Sequence, residues 1–289
     1  MVAQATLLLF GSFFVMLLAG VPISAGIGIA SIFTALFSMD PAIFALTAAQ
    51  RCFSGIDSFS LLALPFFSLG GNIMNKGGIA KRLVRLARLA VGKMPGYLAA
   101  TNVLANMFFG AVSGSGVASA AAIGKIIGPS MLEEGYPKGL TAGLIAAGGT
   151  MACIIPPSIV MVVYAQSASV SVGDMFLGGV APGLLTIIAL IDLNSFFAVR
   201  RQKKENKDPH EYTVNERMKI ILDALLPLLM PVAILGGVFS GLCTATEAAV
   251  VAVVYALFLA VFVYRELTLK DFFKVSADAV VSTGVIMLI

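Results

Sequence analysis

The sequence predicts an all-α membrane protein, a polytopic helical bundle with inverted repeats, a re-entrant hairpin and a broken helix. Three observations carry this prediction. Hydrophobic residues make up 59% of the 289 residues and charged residues 12%, about half the charged share of a soluble domain. Apolar segments long enough to cross a membrane recur along the chain. A Pro-Pro pair interrupts one of them, and a Ser/Gly turn joins two that are too short to cross.

The apolar segments alternate with short polar stretches. They run at about 5–20, 22–39, 57–75, 98–112, 116–132, 139–168, 173–199, 220–240, 245–264 and 277–289. Residues 1–75 are interpreted as scaffold helices of a first repeat, with a loop at 40–56. Asp57 and Asp223 are interpreted as caps at helix starts, because a carboxylate there accepts from free backbone N–H groups.

Residues 76–94 predict an amphipathic helix in the membrane interface. One helical face carries Leu83, Leu86, Ala87 and Ala90, and the other carries Lys81, Arg82, Arg85 and Arg88. A basic helix with this pattern lies in the plane of the interface, with its apolar face in the lipid.

Residues 95–137 predict a re-entrant hairpin. Its two apolar limbs, 98–112 and 116–132, are short, and they meet at Ser113-Gly114-Ser115. Two short helices that meet at a small polar tip enter and leave on one side of the membrane. A tight turn between two ordinary short spans is the alternative.

Residues 138–170 predict a broken helix. Neither Pro156 nor Pro157 can donate a backbone hydrogen bond, and Pro156 is disfavoured in the helical region by the proline after it. The helix is therefore expected to open, after Gly148-Gly149 one to two turns earlier. Carbonyl groups freed at this depth are tolerated only inside protein or along a cavity. A simple packing kink is the alternative.

The rest of the chain sets the topology. Residues 171–199 predict a transmembrane helix, and the polar, basic residues 200–219 predict a cytoplasmic loop. Counting spans back from that loop places the N-terminus in the periplasm. Gly20-Val21-Pro22 recurs weakly about 221 residues later at Gly241, so residues 220–289 are interpreted as the start of a second, inverted repeat. The second repeat is incomplete, so the chain is expected to be C-terminally truncated.

Several motifs, taken in order, carry a family resemblance. They are Pro95-Gly96-Tyr97, the run from Gly110 to Ser119 with Ala121 to Gly124, Gly135-Tyr136-Pro137, Ile155-Pro156-Pro157-Ser158, and Gly241 to Thr244 with Thr246, Glu247 and Ala248. Together they resemble the DctM-like large membrane subunit of tripartite ATP-independent periplasmic (TRAP) transporters, over essentially the whole chain.

This resemblance implies a sodium-driven elevator in the bacterial inner membrane. It would take up a C4-dicarboxylate, sialic acid or a similar organic acid by symport with Na+. The expected partners are a small four-helix membrane subunit of the same transporter, a periplasmic substrate-binding protein and the lipid bilayer. No organic cofactor is expected.

The candidate site residues follow from the resemblance and from the freed backbone. Sodium candidates, partly through backbone carbonyls, are Gly110, Ser113, Ser115, Ala152, Ile155 and Pro157. Substrate candidates are Asn106, Ser113, Ser115 and Ser158. Thr244, Thr246 and Glu247 form a further group, in which Glu247 is interpreted either as a functional ionisable residue or as a helix cap.

Other function classes fit the sequence less well. The net charge of +4 comes from basic residues between apolar segments, so no nucleic-acid partner is expected. No enzyme activity is expected: the one histidine is His210 in the charged loop, and a serine hydrolase built on Ser113 or Ser115 would need Lys125 as its base. A scaffold subunit would have uninterrupted spans. Another ion-coupled carrier family, of the tricarboxylate or divalent-anion type, is the alternative transporter.

Overall fold

The computed structural model describes residues 2–38, 40–200 and 212–288. Within these ranges the chain forms thirteen α-helices, a 3-10 helix, a π-helical turn and no strand, which confirms the all-α prediction. The α-helices are α1 Val2–Leu18, α2 Ile23–Ser38, α3 Pro41–Ile56, α4 Ala63–Lys76, α5 Ile79–Val91, α6 Tyr97–Ser113, α7 Gly116–Glu133, α8 Lys138–Ile154, α9 Ile159–Ala168, α10 Val172–Arg200, α11 Val214–Phe239, α12 Ala245–Phe258 and α13 Leu269–Met287. The 3-10 helix is Phe59–Leu62 and the π-helical turn is Leu259–Val263.

The described residues form two compact units. The first contains residues 2–58 and 281–288, and the second contains residues 59–280. In the first unit α1 packs against α2, and α2 packs against α3. The predicted loop at 40–56 is wrong, because these residues form α3. The Asp40 side chain accepts from the Ala42 N–H at 2.8 Å, and Pro41 occupies the first helical position. This pair is a helix-start signal.

The two glycines of the predicted internal repeat end their helices in the same way. Gly20 follows α1 with φ +79°, and Gly241 follows α11 with φ +71°. Each turn also has the same 6→1 backbone bond, from Val21 N–H to the Met16 carbonyl at 3.1 Å and from Leu242 N–H to the Gly237 carbonyl at 3.0 Å. This is a Schellman ending, in which a left-handed glycine stops the helix. The same bond pattern also ends α7 at Gly135 and α9 at Ser169, so the turns at Gly20 and Gly241 do not by themselves test the predicted repeat.

Helix α6 forms the centre of the second unit. Most of its residues are buried, and it packs against α4, α5, α7, α8, α10 and α11. The two limbs α6 and α7 match the predicted hairpin segments to within two residues. The pair α8 and α9 is bent by 48° at the predicted break.

Helix α5 is amphipathic as predicted, but protein covers its apolar face. It packs against α6 and α11, and its buried stripe includes Leu83, Val84 and Ala87. Ala90, predicted on the same face, is exposed and lies outside this protein contact. The buried stripe of α5 also includes Ile79 and Ala80, because α6 packs against this side of the helix.

One basic residue of α5 is held by the segment after α12. The Arg82 guanidinium pairs with Glu266 at 2.9 Å and lies 3.7 Å from the ring centroid of Tyr264. Its Nη1 also donates to the Gly78 carbonyl at 3.0 Å. Gly78 has φ +72°, a conformation that favours glycine, and an added Cβ would displace the Glu266 carboxylate. This contact fixes the start of α5.

Three described helices are long and apolar enough to cross a membrane by themselves: Val172–Phe197 within α10, Val214–Phe239, and Ala245–Val263. Large apolar side chains such as Leu185, Val232 and Val254 are more than 60% exposed on them. Such surfaces suit lipid, where apolar side chains need no covering. The chain is therefore a multi-pass membrane protein.

Helix α11 begins earlier than predicted. Thr213 and Glu216 form a capping box, in which the Glu216 carboxylate accepts from the Thr213 N–H at 2.8 Å. The predicted cytoplasmic loop at 200–219 thus ends before Val214, and its residues 201–211 lie outside the described residues. Asp223 lies inside α11 and Asp57 at the C-terminal end of α3, so both predicted helix-start caps are wrong.

Candidate functional site

The hairpin tip is a left-handed turn between two capped helix ends. Gly114 ends α6 with φ +62°, and its N–H donates to the Gly110 carbonyl at 2.8 Å. Ser115 is the N-cap of α7, and its hydroxyl accepts from the Ala118 N–H at 3.3 Å. Each limb therefore closes its own end, which confirms the predicted turn at Ser113-Gly114-Ser115.

The break between α8 and α9 is centred on the two prolines. Ile155, with ψ 124°, and Ser158, with ψ 132°, are both extended, and the Pro156–Pro157 peptide bond is cis. Helix α8 stays intact through Gly148 and Gly149. The helix therefore opens only at the prolines, and the packing-kink alternative is wrong.

The hairpin tip docks on this break. The Ile159 N–H, at the start of α9, donates to the Gly114 carbonyl at 3.0 Å. A Cβ added to Gly114 would lie 3.1 Å from the Ile159 nitrogen and 3.2 Å from the Pro157 carbonyl oxygen. The tip thus meets the bent pair at its break and not at either end, and the re-entrant path of the hairpin in the membrane stays a prediction. We call Ser113–Ser115 with Ile155–Ser158 the tip–break site.

Glycines allow the close packing around this site. A Cβ added to Gly71 of α4 would lie 2.8 Å from the Ser113 Cβ. A Cβ added to Gly110 would lie 2.5 Å from the Ala152 Cβ. A Cβ added to Gly116 would lie 3.0 Å from the Gly149 carbonyl oxygen. Helices α4 and α8 therefore approach the hairpin limbs at nearly backbone distance.

The prolines leave several carbonyl groups without a helical donor. In an α-helix a carbonyl accepts from the N–H four residues later. For Ala152 and Cys153 that position is a proline, and for Ile155 it is Ile159, whose N–H goes to Gly114. One of these carbonyl groups has a side-chain donor instead: the buried Ser158 hydroxyl donates to the Cys153 carbonyl at 2.8 Å. Ala152 and Ile155 therefore offer their carbonyl oxygens at the break.

The structure brings most of the predicted sodium candidates together. Pro157 lies against Gly114, between the two serines of the tip, and Ala152 packs on Gly110. Ser113 is buried, and its hydroxyl lies 3.5 Å from the Ser115 N–H. The set consists of hydroxyl and carbonyl oxygens without formal charge. Such oxygens at unwound helices suit a monovalent cation, so the residues present fit the implied ion, and the sodium assignment stays a prediction.

Asn106, a predicted substrate contact, is fully buried in a hydrogen-bond network of the hairpin. Its Nδ2 donates to the Asn102 carbonyl at 2.8 Å, and its Oδ1 accepts from the Ser119 hydroxyl at 2.7 Å. Asn102 in turn donates to the Leu144 carbonyl of α8 at 2.7 Å. The network joins both limbs to α8. A substrate contact at Asn106 would have to displace one of these bonds, and its role in binding stays a prediction.

The group near residue 244 is a helix start. The Thr244 hydroxyl accepts from the Glu247 N–H at 3.2 Å, and the Glu247 carboxylate accepts from the Thr244 N–H at 2.7 Å. Of the two interpretations of Glu247, the structure supports the cap. Thr246 is buried and donates to the Phe59 carbonyl at 2.9 Å, which joins α12 to the 3-10 helix before α4. None of these contacts involves the tip–break site.

The hydrolase alternative lacks its base. Lys125 lies ten residues beyond Ser115 along the continuous helix α7, about 15 Å at the helical rise of 1.5 Å per residue. A base must reach its nucleophile within hydrogen-bond distance.

An ion pair joins α4 to α13 outside the apolar part of α13. Lys76 Nζ lies 3.1 Å from Asp271 Oδ1, and the Thr268 hydroxyl donates to Asp271 Oδ2 at 2.7 Å. The Thr268 hydrogen bond, followed by the contact with Lys76, lowers the pKa of the Asp271 carboxyl below its ordinary value. Above that pKa the carboxylate keeps both partners.

Sequence reasoning missed the residues that clamp the site. Gly114 supplies the carbonyl for Ile159, and Gly71 admits Ser113. The Gly70-Gly71 pair and the Asn102/Asn106 spacing of four were available signals, but neither identifies its partner.

Comparison with known proteins identifies the family of this chain. Residues 10–289 match the family model described as "Tripartite ATP-independent periplasmic transporter, DctM component". The chain is 42% identical over 290 residues to the uncharacterized protein YgiK of Salmonella typhimurium, an alignment that covers 98% of this chain and 64% of that protein. It is 39% identical to the isethionate TRAP transporter permease protein DctMQ of Oleidesulfovibrio alaskensis, over 97% of this chain and 44% of that protein.

A third relative is the C4-dicarboxylate TRAP transporter large permease protein DctM of Rhodobacter capsulatus. It is 36% identical over 93% of this chain and 63% of its own length. The chain thus spans about two thirds or less of each of these three relatives. Since the family model matches nearly the whole chain, the chain belongs to the DctM family, the large permease component of tripartite ATP-independent periplasmic transporters.

Proposed function

We propose that this chain is the membrane-embedded permease subunit of a TRAP-type secondary transporter that takes up a small organic acid by symport with Na+. The observation that carries the proposal is the docking of the hairpin tip on the broken helix, through the Ile159 N–H and the Gly114 carbonyl at 3.0 Å. The family is one of transporters and not of enzymes. The names of two relatives mention different small organic acids, isethionate for one and C4-dicarboxylate for the other.

Sodium would be held by neutral oxygens of the tip–break site and of Ala152, which precedes it. The hydroxyls of Ser113 and Ser115 lie at the tip, and the carbonyls of Ala152 and Ile155 lack a helical donor at the break. Loss of the tip–break contact would separate these two halves. Ion binding and docking of the hairpin are therefore coupled in this proposal.

The substrate carboxylate would be drawn to the same place by two helix starts. Helix α7 begins at Gly116 and α9 begins at Ile159, and the contact between Ile159 and Gly114 places the two starts beside each other. The N-terminal end of a helix carries a partial positive charge that favours anions. An organic acid and a cation can thus share one uncharged site without a buried ionised side chain.

The mechanism in this proposal is an elevator. Helices α6 to α9 form the moving transport domain, and the helices of residues 1–75 belong to the scaffold. A small four-helix membrane subunit braces the scaffold, and a periplasmic binding protein delivers the acid. The N-terminus lies in the periplasm and residues 200–219 lie in the cytoplasm of a bacterial inner membrane.

The test is uptake into proteoliposomes that contain the chain with its small membrane subunit, after addition of the binding protein. Uptake is expected only with an inward sodium gradient. Ser113→Ala should raise the sodium concentration for half-maximal uptake by about tenfold, the scale of metal-site substitutions.

Ser167→Ala is the matched control, because its exposed hydroxyl bonds only to the Val163 carbonyl of its own helix at 2.9 Å. Equal sodium dependence in Ser113→Ala and wild type would remove Ser113 from the ion site. Uptake without a sodium gradient would overturn the coupling.

A further inference from the structure

A second cavity lies away from the tip–break site, between α5 and the second hairpin limb α7. It measures about 540 Å³, a volume within the range of small-ligand pockets. Among the described residues that line it, four are basic and none is acidic: Lys81, Arg85, Arg88 and Lys125. Nothing in the proposed transport site uses these side chains.

Three of the four cations lack an ion-pair partner. The ion pairs of the described chain involve Lys76 and Arg82 and leave out Lys81, Arg85 and Lys125. Lys81 and Arg85 are also four residues apart on one helix, where like charges repel. Arg88 differs, because its guanidinium contacts the Tyr97 hydroxyl at 3.5 Å. This concentration of positive charge destabilises the free cavity.

The lining of the adjoining cavity contains both acidic and basic side chains. It measures about 440 Å³ and shares Lys81 and Lys125 with the first cavity. It adds the carboxylates of Glu266, Asp271 and Asp278 and the lysines Lys76 and Lys274. The Glu266 and Asp271 carboxylates are already engaged with Arg82 and Lys76, at 2.9 and 3.1 Å. They do not neutralise the wall formed by Lys81, Arg85 and Lys125.

The depth and the floor of the cavity define its ligand. Four cations cannot lie in hydrocarbon at acceptable cost, so the cavity belongs at the level of lipid headgroups. Its floor is apolar and includes Val84, Ala122 and Ile126. A ligand with an oxyanion beside an apolar body matches both parts, and basic pockets between helices bind phosphate headgroups.

We propose that this cavity binds the phosphate group of an anionic phospholipid, with Lys81, Arg85 and Lys125 as its ligands. The bound lipid joins α5 to the hairpin limb α7. The cavity is separate from the transport site, so the lipid-binding proposal does not depend on the proposed transport activity.

The test measures lipid binding to the full chain by native mass spectrometry after delipidation. The chain is titrated with phosphatidylglycerol and, in parallel, with phosphatidylcholine. Phosphatidylglycerol is expected to bind in one site that phosphatidylcholine does not fill. Lys81→Gln with Lys125→Gln should weaken that binding about 25-fold, roughly fivefold for each cation near an anionic headgroup.

The charge-matched control is Lys93→Gln with Lys138→Gln. Both lysines are exposed and lie outside the cavity, so this variant should keep the wild-type affinity. Circular dichroism and gel filtration check that both double variants fold. Equal binding of the two lipids, or wild-type affinity in a folded Lys81/Lys125 variant, would overturn the proposal.

A third arm separates the lipid from free phosphate. Inorganic phosphate is added at millimolar concentration, and its binding is measured by equilibrium dialysis. The lipid assignment predicts that phosphate alone binds weakly and does not displace phosphatidylglycerol. Phosphate that binds tightly, displaces the lipid and is lost in the Lys81/Lys125 variant would assign the site to the free anion and overturn the lipid assignment.

Discussion

Gly114→Ala tests whether the tip needs glycine for its backbone conformation alone or also for its contact with the break. Gly114 and Gly241 both have positive φ, +62° and +71°. An alanine at either position costs about 1–2 kcal/mol for the left-handed conformation. The two differ in their surroundings: an added Cβ lies 3.1 Å from the Ile159 nitrogen at Gly114 and meets nothing within 4 Å at Gly241.

The extra cost at Gly114 is that of overpacking. The neighbours are backbone atoms of Ile159 and Pro157, which cannot rotate away as a flexible side chain would. Overpacking costs about 1–3 kcal/mol. Gly114→Ala should therefore destabilise the fold by about 2–5 kcal/mol, and Gly241→Ala by the conformational part alone.

The assay is thermal unfolding of the purified chain in detergent, followed by labelling of its cysteines with a thiol-reactive dye. Cys153 lies in the last turn of α8 and is partly buried, so it reports on opening of the break. The midpoint temperature should fall at least about twice as far for Gly114→Ala as for Gly241→Ala. Equal shifts in the two variants would refute the claimed contact between the tip and the break.

Three further substitutions test the packing, the cap and the ion pair. Gly110→Ala should lower the unfolding midpoint in the same assay, and added Ala152→Gly should restore only part of the loss, because the new Cβ also lies 2.6 Å from the residue 152 Cα. Thr244→Ala should cost about 1 kcal/mol, the price of a lost N-cap, and leave the sodium dependence of uptake unchanged; altered sodium dependence would place the cap in the transport site. The lowered pKa of Asp271 predicts stability that is present above the ordinary carboxyl pKa and lost as the pH falls through the lowered value. Asp271→Asn should remove this acid-dependent loss from a pH series of unfolding midpoints, and an unchanged series would contradict the assignment.

The break and the hairpin could be predicted because their causes are local. A proline lacks an N–H wherever it stands, so Pro156-Pro157 opens a helix regardless of its neighbours. The small residues Ser113-Gly114-Ser115 end one helix and cap the next through bonds within four residues. Predictions of this kind agree with the structure to within two residues.

The partners across the fold could not be predicted. Asn102 is bonded to Leu144, 42 residues later, and Thr246 is bonded to Phe59, 187 residues earlier. Nothing in the sequence pairs them, because each bond depends on which helices pack together. Helix α3 was missed for a different reason. Asp40-Pro41 is a pair that begins helices, and the predicted loop at 40–56 took no account of it.

The helix caps show how composition can mislead. Asp57 and Asp223 suggested helix starts because they flank apolar segments, yet α11 begins nine residues before Asp223. Polar and charged residues around Thr213 carry the first turns of α11 outside its apolar part. Hydropathy therefore locates the membrane-facing part of a helix better than it locates its first residue.

The most direct test of the docked hairpin is disulfide crosslinking in native membranes. A Cβ added to Gly116, just after the tip, lies 2.7 Å from the Cys153 sulfur, just before the break. With Cys52 and Cys243 replaced by serine, Gly116→Cys should form a disulfide with Cys153 under mild oxidation, detected as loss of both free thiols. Val117→Cys, whose side chain is 84% exposed, should leave both thiols free. A Gly116→Cys chain that keeps both thiols, or equal crosslinking in the two variants, would contradict docking of the hairpin tip on the broken helix.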